Sequence, residues 1–186
     1  MKTIKNIAIL VFVSSIFLAC SDDDPIAIND EEVITTIRAT LVPQGGGNTI
    51  TVESKDLDGD GPNDPVVTVS GDLSQNTSYA GTLAILNEME SPAEDITLEI
   101  LEEDEDHQFF FSFTNDIATA TYNDEDSNGN PVGVAFSLLT STAGSGGFTI
   151  ILRHEPNKSE ANVNTGDIAN AGGSTDVQVT FDITVN

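Results

Sequence analysis

From Val33 onward, apolar and polar residues alternate in short runs. In 34–42, ITTIRATLV, Ile37, Ala39 and Leu41 fall on one side and Thr36, Arg38 and Thr40 on the other. The run 49–54 repeats this with Ile50 and Val52, and 66–70, VVTVS, follows an acidic stretch. In 77–86, Tyr79, Gly81, Leu83 and Ile85 share a side. Later runs cover 107–114, 117–122, 132–140 and 148–155. The last, 176–185, sets Val177, Val179, Phe181, Ile183 and Val185 against Gln178, Thr180, Asp182 and Thr184. A period of two is that of a strand with one buried and one wet face, the habit of antiparallel sheets. Gly, Asn and Pro clusters between the runs supply the turns. In 107–114, HQFFFSFT, Phe109, Phe111 and Phe113 fall together and Phe110 opposite, which marks a strand at the centre of the core.

One segment, 91–106, breaks the alternation. Ser91 at the N-cap, Pro92 at the first helical position and Glu94 two further on form a capping box. Ile96 and Ile100 recur four apart with Leu101 beside them, so the pattern predicts an amphipathic helix of about three turns lying on a sheet. The expectation is an all-β fold, an antiparallel β-sandwich of about eight or nine strands with one short amphipathic helix.

The N-terminus changes the setting. Lys2 and Lys5 precede an apolar run, Ile7 to Ala19, too short to span a bilayer comfortably. The run ends FLAC, which resembles a bacterial lipobox with Cys20, the sole cysteine, as the lipidated residue of the mature chain. A disulfide framework and a cysteine metal site are thereby excluded. The chain divides into a lipoprotein signal peptide (1–19), Cys20 with an acidic tether (20–32) and a single sandwich domain (33–186). Without residues 1–19, Arg38, Lys55, Arg153 and Lys158 stand against 31 acidic residues, a formal charge of −27. Such a charge opposes binding to nucleic acid or an anionic membrane surface and favours cations.

Three places offer candidate chemistry. In KDLDGDGPNDP, 55–65, Asp56, Asp58, Asp60 and Asp64 match positions 1, 3, 5 and 9 of an EF-hand loop, with Gly61 at its turn. Val67 stands where the bidentate Glu belongs and a strand follows, so this is no EF-hand. It resembles the shorter Asp-rich calcium loops of extracellular modules, such as thrombospondin type 3 repeats; the competing reading is a solvated turn built on its two Asp-Gly pairs. Asp124, Asp126 and Asn128, with Gly129, form a second such loop, for which a plain Asn-Gly turn is the alternative. Calcium is the cofactor these loops imply. Finally, 102–106 are consecutive acids at the expected helix C-terminus, where the macrodipole is already negative. They are read either as a frayed, solvated end or as a cation or partner site. His107 follows them and His154 ends another strand; brought together beside Glu103, Asp106 or Glu155, these two histidines would form a transition-metal site, but no spacing forces them to meet and the competing reading is two ordinary strand-end histidines.

Nucleophile elbow, Walker loop, HExxH and dinucleotide fingerprint are all absent from the sequence, so a non-enzymatic role is expected. The SDDD after Cys20 resembles the acidic surface-export tag of Bacteroidota lipoproteins. Together with KDLDGDG, LNEMESPAEDIT, EDHQFFF, LRHEPNKS and GGSTDVQVTFDITV, it resembles a family of small acidic outer-membrane and surface lipoproteins of that phylum. The resemblance implies a lipid anchor in the outer membrane, facing the cell surface, and a TonB-dependent receptor as partner. Such proteins often carry the label of a type 1 periplasmic-binding fold, which needs two βαβ lobes; this chain offers one short helix among strands. The expected function is a ligand- or metal-binding accessory of an outer-membrane uptake system, with a calcium-stabilised structural or adhesive surface module as the alternative.

Overall fold

The computed structural model describes residues 33–59 and 61–186, so Cys20, the tether and Asp60 lie outside the described residues. Every predicted run after Val33 is a strand. In chain order they are β1 (Thr36–Pro43), β2 (Ile50–Lys55), β3 (Val66–Val69), β4 (Ser78–Asn87), the two-residue β5 (Glu94–Asp95), β6 (His107–Phe113), β7 (Ala118–Tyr122), β8 (Ala135–Thr140), β9 (Gly144–His154) and β10 (Ser174–Val185). One sheet runs β3-β2-β1-β4-β8-β7, with β5 also on β4; the other runs β10-β9-β6. All ladders between named strands are antiparallel. The fold is thus an all-β sandwich, without the parallel βαβ lobes of a periplasmic-binding fold among the described residues. No helix among them is long and apolar enough to cross a membrane.

The inner faces meet through the predicted alternation. Ile37, Ala39, Leu41, Val52, Leu83 and Ile85 from the large sheet pack with Phe109, Phe148, Ile150, Leu152, Phe181 and Ile183 from the small one. Phe111 and Phe136 bridge the sheets with ring centroids 4.5 Å apart, and Phe113 stacks on Phe148 at 4.8 Å. Gly81 leaves room for the Phe136 ring, which a Cβ there would overlap.

The helix is shorter and starts later than the capping box predicts. α1 is Ile96–Glu102, seven residues, capped by Asp95, whose carboxylate accepts from the Thr97 amide. Glu94 and Asp95 are drawn into a ladder opposite Asn87 and Leu86, which holds the chain extended past Ser91 and Pro92. Ile96 and Ile100 are buried as expected; Leu101 is exposed, because one residue beyond Ile100 it sits about 100° further round the helix. The Thr97 hydroxyl also exchanges hydrogen bonds with the backbone of Ile85, pinning the helix to β4.

Between β9 and β10, residues 155–173 form a strap across the outer face of the small sheet. Phe110, on the outward side of β6, is buried there with Val163 and Ala171, and Ile151 and Ile168 pack against them. Arg153 holds the far end of the strap through the carbonyls of Gly172 and Gly173.

Candidate metal centre

The two histidines meet. His107 is the first residue of β6 and His154 the last of β9, and they are directly paired in the ladder. Paired residues of neighbouring strands share a face, so both rings lie on the side of Phe109 and Leu152. Their centroids are 4.7 Å apart. The third member comes from β10. There Thr175 pairs with Arg153 and Val177 with Leu152, leaving Asp176 as the extra residue of a β-bulge. A bulge re-aims the side chain it carries, and Asp176 Oδ1 stands 4.0 Å from His154 Nδ1. One ligand atom each from His107, His154 and Asp176 lie within 4.8 Å of one another, a group able to hold a metal ion.

The surroundings orient this group. His107 is fully buried, and its Nδ1 lies 3.0 Å from the carbonyl oxygen of Glu103, at the end of α1. A carbonyl only accepts, so Nδ1 carries the proton and Nε2 the lone pair in the neutral ring. This is the outer-sphere arrangement typical of metal-ligating histidines. His154 and Asp176 side chains retain 12% exposure each, so the group is reached from their side. Two imidazoles and a carboxylate are a nitrogen–oxygen donor set of the kind that suits zinc and its d-block neighbours, whereas calcium takes six to eight oxygens.

The expected acidic neighbours contribute through their backbones. The Glu103 carbonyl accepts from the Asp106 amide as well as from His107, and the Asp106 carbonyl accepts from the Glu155 amide. The side chains of Glu103, Asp106 and Glu155 are exposed. Desolvation and the charges of Glu94, Glu103 and Glu102 push the Glu99 carboxyl above its usual value, which expresses the mutual repulsion along this helix end. Asp176 escaped the sequence reading because strand parity places it outward with Gln178; only the bulge turns it to the histidines.

The two acidic loops are built differently. Asp124 accepts from the amides of Gly133 and Ala135, both at 2.7 Å. Asp126 accepts from the Asn128 and Asn130 amides and from Lys158 Nζ at 3.0 Å, with both charged side chains almost fully buried. The carboxylates of Asp124 and Asp126 are therefore already bonded to protein donors, and Asn128 supplies one of them through its backbone. In the first loop, the Asp56 carboxylate accepts from the Asp58 amide and Asp58 accepts from the Asn63 side chain. Asp56, Asp58 and Asp64 line a hollow of about 260 Å³ with Lys55, Leu57, Asn63 and Val66. Within the described residues, each of the four cations is engaged: Arg38 with Glu53, Lys55 with Glu88, Arg153 with the strap, and Lys158 with Asp126. No protein-family model matches the chain, and no curated protein matches it.

Proposed function

We propose that this chain is a surface-anchored lipoprotein that binds a metal ion without catalysis, as an accessory of a TonB-dependent uptake system of the outer membrane. The observation that carries the reading is the convergence of His107, His154 and Asp176 from three adjacent strands. The strong negative charge supports it, since such a field raises the local concentration of cations. The apolar run ending in Cys20 and the SDDD after it support the anchor, and the family resemblance supports the partner. The test is isolation of the native protein from gently solubilised outer membranes, followed by elemental analysis and identification of what co-purifies. About one equivalent of metal together with a receptor is expected; absence of both overturns the reading.

A second reading, a calcium-braced adhesive surface module, is favoured by the hollow lined by Asp56, Asp58 and Asp64. It requires the melting midpoint to rise with calcium and fall with EGTA. An unchanged midpoint removes it.

A further inference from the structure

The candidate centre sits where the strap begins and ends. His154 is the last residue before residues 155–173, and Asp176 lies two residues inside the strand that receives them. An ion joining these two side chains ties the strap's departure to its return. His107 adds a third tie, to β6, whose Gln108 donates to the Val163 carbonyl of the strap at 2.9 Å.

The strap is the part of the small sheet with most to gain from such a tie. Pro156, Lys158, Val163 and Ala171 are its only buried residues, and the cluster that Val163 and Ala171 form with Phe110 is small beside the main core. Segments with few buried apolar contacts open locally at low free energy. The ligand atoms themselves are spread over up to 4.8 Å. Zinc bonds of ~2.1 Å at tetrahedral angles place donor atoms ~3.4 Å apart. Binding therefore draws His154 and Asp176 inward, towards His107, which is fixed by the Glu103 carbonyl.

We propose that a zinc-type divalent ion held by His107, His154 and Asp176 fastens the strap, so that the order of residues 155–173 follows metal occupancy. This rests on the metal-binding reading above and adds both the class of ion and its consequence for the chain.

Hydrogen exchange of the full mature chain tests it, after chelator treatment and then with Zn(II) or Ca(II) added, alongside calorimetric titration of each ion. Free zinc at ten times its dissociation constant is expected to slow exchange in the strap about tenfold, the linkage factor for opening that releases the ion. Asp176→Asn and His154→Gln alter partly exposed side chains and spare buried His107; both should fold and lose the zinc effect. Zinc binding with strap exchange unchanged overturns the proposal and leaves metal binding standing. Equal protection by calcium, or zinc protection that survives both substitutions, also overturns it. Absence of zinc binding overturns this proposal, and if Co(II) and Ni(II) also fail to bind in the same titration the metal-binding reading falls with it.

Discussion

Asp126 and Lys158 form an ion pair with almost no solvent around either charge. Burial pushes the Asp126 carboxyl up, but the Asn130 amide, the Lys158 ammonium and the Asn128 amide outweigh it and hold the group below its usual value. Asp126→Asn keeps the shape and leaves Lys158 buried without its counter-charge, which should cost about 3–5 kcal/mol in urea unfolding at neutral pH. A depressed folded-state value means the stabilisation is present in full above the unfolded carboxyl's ordinary value and fades as pH falls through the folded one. The gap between wild type and Asp126→Asn should therefore be wide at pH 7 and close progressively below about pH 4. Spacing alone made Asp126 a calcium candidate. The pattern Asp-x-Asp-x-Asn shows that oxygens gather in a loop, but not that a lysine 32 positions later pairs with one of them.

At the scale of elements, alternation carried the sheets. Ile37, Ala39 and Leu41 are buried where the period of two places them, and so are Phe181, Ile183 and Val185. The helix start was less legible, because Ser91, Pro92 and Glu94 satisfy a local rule that β4 overrides by pairing with Glu94 and Asp95. What fixes α1 is a contact with no local signal, the Thr97 hydroxyl on the Ile85 backbone. Thr97→Val preserves volume and leaves the buried Ile85 amide unsatisfied; a loss of about 1–3 kcal/mol is expected in chemical denaturation, with the helix end exchanging fastest. Phe110 lies on the outer face, as the period of two places it, yet the sequence carries no signal for its burial there. The strap that covers it is turn-rich and polar, and only Val163 and Ala171 of its small cluster come from there with full burial.

At the scale of the molecule, charge and core oppose one another. The described chain has four cations, all engaged, so most of its carboxylates repel without local compensation. Screening shortens that repulsion, to about 8 Å at physiological ionic strength and about 3 Å at 1 M. The thermal midpoint should therefore rise between 20 mM and 1 M sodium chloride, even with chelator present; a flat response would show the repulsion to be minor. The sandwich itself was legible because its core needs only the period of two. The centre was legible in half, because His107 and His154 obey that period and Asp176 departs from it. That departure separates scaffold from chemistry. Deleting Asp176 alone leaves Ser174, Thr175 and Val177 opposite His154, Arg153 and Leu152 in unbroken succession. Such a chain should fold within about 1 kcal/mol of its parent, judged by urea midpoint, and bind no zinc. On the proposed reading, a single residue of β10 then decides whether the chain holds an ion, while the sandwich beneath it is indifferent to the choice.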